Sequence, residues 1–188
     1  MCPTPFDLVY VGELRPAKGI GTLIDAVALL RREKQRRLTM LIVGSGPDDH
    51  ALQARAKEAG IWDSVAFVPP QPIRHALARG AIMVIPSYAE SLPYVILEAA
   101  AAAQPLVSTN VGGIPEIFGP YADELIPARD TQALADAILT KCSEGPQERR
   151  AKAERLSEFV RCRFSLKQMV DGVLDGYEAG FEARAIPA

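Results

Sequence analysis

Two glutamates, Glu90 and Glu98, bracket the stretch ESLPYVILE, and their type and spacing make them the first residues to consider for chemistry. The run continues into five alanines, Ala99 to Ala103, so a helix starting near Leu92 is expected to be apolar on nearly every side and therefore internal. An unpartnered carboxylate in such a helix is costly. Either Glu98 reaches a crevice where something satisfies it, or the helix is less buried than its composition implies. If the whole interval were helical, the two carboxylates would lie roughly 12 Å apart along the axis. That is too far to share a proton, but it suits the two ends of one extended ligand. Between them, Leu92, Tyr94 and Val95 offer first-turn N–H groups with no intrahelical acceptor, and Pro93 gives up a donor that a helix start does not need. A phosphate-bearing molecule fits this arrangement, with its phosphates at the helix start and its hydroxyls on the carboxylates, which accept well from the vicinal hydroxyls of a ribose. The plainer alternative is that Glu90 favours the helix dipole and Glu98 faces solvent. Spacing alone does not choose between them.

A second cluster, GELRPAKG at 12–19, places Arg15 and Lys18 after an apolar run, where two cations could clamp a diphosphate or simply be solvated loop charges. GSGPDDH at 44–50 supplies Gly44 and Gly46 for close backbone approach, but it lacks the third glycine of a dinucleotide fingerprint and follows the second strand rather than the first. Asp48 and Asp49 read as helix N-caps rather than metal ligands. His50 and His75 read as surface residues in helices. The three cysteines, Cys2, Cys142 and Cys162, have no metal-ligand spacing and read as reduced thiols. No self-contained catalytic triad is found.

The elements that must position these groups are legible from hydrophobic periodicity. DLVYVGEL at 7–14 is β-rich and is followed by Ile20, Leu23, Ile24, Val27 and Leu30 at helical spacing. LTMLIVGSG, VAFV, AIMVIPS, PLVST and DELIPA give five further apolar runs, mostly alternating with helical segments, one of them near 71–79 and a short one near Ile114. Six strands of this kind predict an α/β fold, a doubly wound (Rossmann-like) six-stranded parallel sheet with helices on both faces. Ligands of such sheets sit at the carboxyl ends of the strands, where all the groups above are placed. Residues 1–128 alternate strand and helix. Residues 129–188 read as a helical extension of three helices, the last with an apolar stripe from Leu166 through Met169, Val170, Val173, Leu174 and Tyr177 to Phe181.

At 188 residues with 48% apolar content, the chain is expected to be a single domain with a full core. A net charge of −2 argues against a nucleic-acid partner. With no long apolar span and no signal-peptide pattern at the start, the expected location is the cytoplasm.

The segments VYVGELRPAKGIGTLIDAVALL, LIVGSGP and PSYAESLPYVILEAAAAAQPLVSTNVGGIPEI together resemble the carboxyl-terminal half of group 1 glycosyltransferases, retaining enzymes with the GT-B fold. The resemblance extends through ARDTQALADAI and the closing helix. It implies a donor-binding domain that takes a nucleotide diphosphate sugar. Glu98 would hold the ribose hydroxyls, and Glu90 would face the donor sugar near the reacting centre. Backbone amides of Ser91, Leu92, Pro93 and Tyr94 would line phosphate or sugar, allowing for the missing N–H of Pro93. Lys18, with Arg15 and the loop at Gly12, would neutralise the leaving diphosphate, while the turn at Gly44 and Gly46 and the loop beyond Val68 would line the base. Such chemistry stabilises a departing anion and needs no metal or other cofactor when Lys or Arg supplies the charge.

Two departures from the family pattern stand out. Glu13 occupies the position where the family usually has an arginine, so Arg15 is expected to take over its role or Glu13 to turn outward. A GT-B enzyme also has an amino-terminal acceptor-binding domain, which this chain lacks. The expectation is half an enzyme, inactive without that partner; it could be an excised half, a truncated product or a subunit completed in trans. The terminal stripe would then be exposed in part and favour self-association. The alternatives are a non-catalytic nucleotide-sugar-binding or interaction module, and an epimerase of the same architecture, which fits the motifs less well.

Overall fold

The computed structural model describes residues 5–165, with 168, 170 and 173–177. Strand β1 (Phe6–Val11) leads through a turn at Pro16–Lys18 into helix α1 (Ile20–Lys34), followed by β2 (Met40–Val43), α2 (Asp49–Glu58) and β3 (Val65–Val68). Then come α3 (Ile73–Leu77), β4 (Gly80–Ile85), α4 (Tyr94–Ala101), β5 (Leu106–Ser108) and α5 (Ile114–Phe118). The chain closes on α6 (Thr131–Ser143) and α7 (Pro146–Arg163), and residues 173–177 are again helical.

The sheet is parallel throughout, in the order β3-β2-β1-β4-β5. Strand residues alternate between two cores. Leu8, Tyr10, Met40, Ile42, Ile82 and Val84 pack with the buried face of α1 and with α2 and α6. Val9, Leu41, Val43, Met83 and Ile85 pack on the other side with α3, α4, α5 and α7. Helices on both faces are what apolar strands without alternating polarity require. Strand order reverses at β1, which pairs with β2 on one side and β4 on the other, so the crevice between the ends of β1 and β4 is the topological switch point.

Among the described residues the sheet has five strands, not the expected six. DELIPA contributes only an isolated bridge between Thr109 and Ile126. Ile126 accepts from Asn110 N and donates to Ser108 O, and the next residue, Pro127, has no N–H with which to continue a ladder.

Helix α4 also differs from the expectation of an internal helix. It buries Ile96, Ala99 and Ala100, while Tyr94 and Glu98 face solvent. It starts at Tyr94 rather than near Leu92, with Pro93 at its N-cap. Of the apolar terminal stripe, Val170, Val173, Leu174 and Tyr177 are exposed. Leu166, Met169 and Phe181 lie outside the described residues. No helix among the described residues is long and apolar enough to cross a membrane.

Candidate functional site at the strand ends

The loops after β1 and β4 meet at the switch point. Tyr88 N donates to Ala17 O at 2.8 Å, and Gly19 lies so close to the β4 exit that a Cβ there would come within 1.9 Å of Pro86 O. Gly19 also has φ +67°, a left-handed value that allows the turn into α1. This packing brings Lys18 against Glu90. Lys18 Nζ donates to Glu90 Oε1 at 2.7 Å and to Oε2 at 2.9 Å, and the two side chains are only 18% and 8% exposed. Ser87 Oγ donates to the same Oε1 at 2.7 Å.

The segment from Glu90 to Leu92 is held from below by the glycine-rich turn before α5. Gly113 N donates to Ser91 O at 2.9 Å. Gly112 has φ +53°, and a Cβ there would stand 1.6 Å from Glu90 O, so a side chain could not be accommodated without moving the glutamate loop. Glu90 is therefore outside α4, and the spacing expected of an all-helical interval does not apply. Glu98 is exposed on the outer face of α4. Of the alternatives, the solvent-facing one is observed: the helix is less buried than its composition implies.

Ile96 N and Leu97 N donate to Pro93 O, leaving the earlier N–H groups of the α4 first turn without an intrahelical acceptor. Ser91, Leu92 and Tyr94 are exposed there, and Pro93 is buried. An anion approaching this start would meet the positive end of the helix with no acidic side chain in its first turn.

The first loop is arranged differently from a pair of cations clamping a diphosphate. Lys18 is engaged by Glu90, and Arg15 Nε lies 3.1 Å from Glu13 Oε2 in an exposed pair. The Glu13 carboxylate is thus paired with Arg15. The backbone of Leu14 threads beneath the second loop, with Leu14 N donating to Ser45 O and Leu14 O accepting from Asp48 N. Gly12 N donates to Val43 O and Gly44 N to Val68 O, which carries the ladder past the ends of β1, β2 and β3. Above these bonds lies an open cleft of about 310 Å³ lined by Val11, Gly12, Glu13, Gly44, Pro70 and Gln71, among others. Gly46 underpins it by packing on the Leu14 backbone, and Val68 leads into the rim.

Several residues at the site carry no role assigned from the sequence, although Gln71, Ser87 and Tyr88 lie in the segments after strands where a ligand is expected. Ser87 is fully buried, and its carbonyl accepts from Thr109 Oγ1 at 2.6 Å. Tyr10 is buried beneath the first loop, with its hydroxyl donating to Glu13 O; burial above all, then the charges of Glu90 and Glu13, push this hydroxyl well above the usual tyrosine range. Tyr88 shares a hydrogen bond with Thr22 and lies under the Arg129 guanidinium. Gln71 Nε2 is buried at the cleft without a hydrogen-bond partner among the described residues. The signal available for Ser87 was its place as the polar end of the β4 run, three residues before Glu90.

Asp48 occupies the N-cap position of α2 but makes no side-chain cap bond, and Asp49 begins the helix and accepts from Gln53. His50 and His75 are exposed, as expected. Cys142 and Cys162 are free thiols, and Cys2 lies outside the described residues. Among the described residues no group of His, Cys, Asp and Glu is arranged to hold a metal ion.

The model of the family described as "Glycosyl transferases group 1" matches residues 3–158. The chain is 32% identical over 189 aligned residues to a D-inositol 3-phosphate glycosyltransferase of Saccharomonospora viridis, covering 94% of this chain and 43% of that protein. Among solved structures it superposes on sucrose-phosphate synthase of Thermosynechococcus elongatus with a TM-score of 0.80 at 27% identity, covering 96% of this chain and 47% of that one. It superposes on Anabaena HepE in complex with UDP with a TM-score of 0.80 at 23% identity, over 94% of this chain and 49% of that one. The chain thus spans less than half the length of these relatives.

Proposed function

The chain belongs to the group 1 glycosyl transferases, and from that premise we propose that it is the donor-binding, carboxyl-terminal domain of a retaining GT-B enzyme, which moves a sugar from a nucleotide diphosphate to an acceptor. The observation that carries the reading is the meeting of Lys18 and Glu90 at the switch point, beside the α4 start. The likeness to a structure in complex with UDP supports a nucleoside diphosphate as the carrier.

In this reading the base enters the cleft over Gly12 and Gly44, beyond Val68, and the ribose hydroxyls donate to Glu98. The diphosphate lies at the α4 start, where the amides near Ser91, Leu92 and Tyr94 meet it, with Pro93 shaping the backbone. Lys18 turns from Glu90 to the phosphates and neutralises the charge that builds on them as the glycosidic bond breaks. An ammonium placed where negative charge develops lowers the barrier without a metal or other cofactor. Released from Lys18, Glu90 faces the sugar. Arg15 adds charge only when it leaves Glu13. The acceptor and the remaining catalytic groups belong to an amino-terminal domain, so this chain alone is inactive. The free thiols of Cys142 and Cys162 suit the cytoplasm.

The test is complementation. The chain, joined to the amino-terminal domain of a group 1 relative, is assayed for sugar transfer from UDP-, GDP- and ADP-glucose and from GDP-mannose. Transfer that Lys18→Met lowers at least a hundredfold is the expected result. A second reading, a nucleotide-sugar-binding module without catalysis, is favoured by one observation: both cations of the first loop are engaged by carboxylates. It predicts donor binding with no transfer in any pairing.

A further inference from the structure

We propose, resting on the donor reading above, that Ser87 is a positioning residue, whose buried hydroxyl keeps the Glu90 carboxylate in place when Lys18 is drawn off to the phosphates of a donor. Glu90 Oε1 has two donors in the structure, Lys18 Nζ at 2.7 Å and Ser87 Oγ at 2.7 Å. They differ in what an arriving anion does to them. The ammonium sits at the end of a flexible four-carbon stem and is attracted by phosphate. The serine hydroxyl is neutral, has a one-carbon stem and is fully buried. It stays when the lysine goes.

Ser87 is itself fixed from the neighbouring strand end. Thr109, 2% exposed, donates from its hydroxyl to Ser87 O at 2.6 Å and from its backbone N–H to Ile85 O at 3.2 Å. The Ser87 hydroxyl has one proton to give, and it gives it to Glu90. Thr109, just past β5, therefore holds the Ser87 backbone, and the Ser87 hydroxyl in turn holds Glu90. A carboxylate that lost Lys18 and had no such anchor would be free to change rotamer, out of reach of the sugar.

The geometric part is tested by crystal structures of Lys18→Met and Lys18→Met/Ser87→Ala. The expected result is that Glu90 keeps its contact with Ser87 in the single variant and turns away in the double variant. A Glu90 that abandons Ser87 in Lys18→Met, or that is unmoved in the double variant, overturns the proposal. The functional part is tested by calorimetry with UDP and UDP-glucose on the unaltered chain, Ser87→Ala and Ser87→Thr, with thermal melts confirming the fold. Ser87→Ala is expected to weaken UDP-glucose roughly tenfold and to leave UDP unchanged, with Ser87→Thr recovering part of the loss. Equal losses for both ligands would reduce Ser87 to a structural role. If the crystal result holds and the unaltered chain binds neither ligand in a wider nucleotide panel, the donor reading fails while the anchoring of Glu90 stands.

Discussion

Lys18 Nζ lies 2.7 Å and 2.9 Å from the two oxygens of Glu90, joining the loops that follow two neighbouring strands at the point where the sheet order reverses. Both partners are largely withdrawn from water, so removing one leaves the other charge poorly solvated. Loss of one partner of a fully buried pair costs about 3–5 kcal/mol. With Lys18 18% exposed and Ser87 still on Glu90, Lys18→Met is expected to cost about 2 kcal/mol. Lys18→Met/Glu90→Gln should recover at least half of that. Urea unfolding of both variants checks this, and additive losses would show that the pair is not coupled.

Glu13 and Arg15 form an exposed pair, so Glu13→Ala should leave stability within about 0.5 kcal/mol of the unaltered chain. Its effect should appear in binding. With its partner gone, Arg15 is available to phosphate, and affinity for UDP or pyrophosphate should rise about fivefold at low ionic strength. The gain should shrink in high salt, because the charges are solvent-exposed. Calorimetry at two salt concentrations reads both effects; an unchanged affinity would mean that Arg15 plays no part at the diphosphate.

Tyr10 gives a prediction in pH. Burial first, then Glu90 and Glu13, raise its pKa in the folded chain above the ordinary value of 10.0. Its stabilising contribution is complete below that value. It is lost as the pH climbs above it, because the unfolded chain then releases a proton that the folded chain keeps. Alkaline unfolding followed by circular dichroism should therefore steepen from about pH 10, and Tyr10→Phe should flatten that region.

Most of the architecture was legible because the strands of a parallel sheet covered on both faces leave unbroken apolar runs: LTMLIVGSG and VAFV contain the strands Met40–Val43 and Val65–Val68, and AIMVIPS covers all but the first residue of Gly80–Ile85. DELIPA carries a weaker version of the signal, with only Leu125 and Ile126 as bulky apolar residues before Pro127 ends the hydrogen bonding. It pairs through one residue and no more. The α4 segment misled for another reason. Alanine is compatible with a buried or an exposed face, so the run Ala99 to Ala103 did not reveal that the helix has a solvent side, which Tyr94 and Glu98 occupy. At the site, the loop positions of Lys18 and Glu90 could be read from where strands end. Their contact could not, because it depends on the approach of Gly19 to Pro86 and of Gly112 to Glu90. The engagement of Arg15 by Glu13 is equally a matter of rotamer, which no spacing encodes.

Nucleotide binding at the strand ends is tested most directly by a thermal-shift titration with UDP, GDP and ADP on the unaltered chain and on Glu98→Ala. Glu98 is exposed, so its replacement should leave the ligand-free melting temperature nearly unchanged and act on binding alone. A nucleotide at a hundred times its Kd adds about 2.7 kcal/mol, roughly 5 to 10 °C for a chain of this size. One of the three nucleotides is expected to give such a shift, and Glu98→Ala to abolish it. No shift with any of them, or a shift that Glu98→Ala leaves intact, would contradict binding at this site.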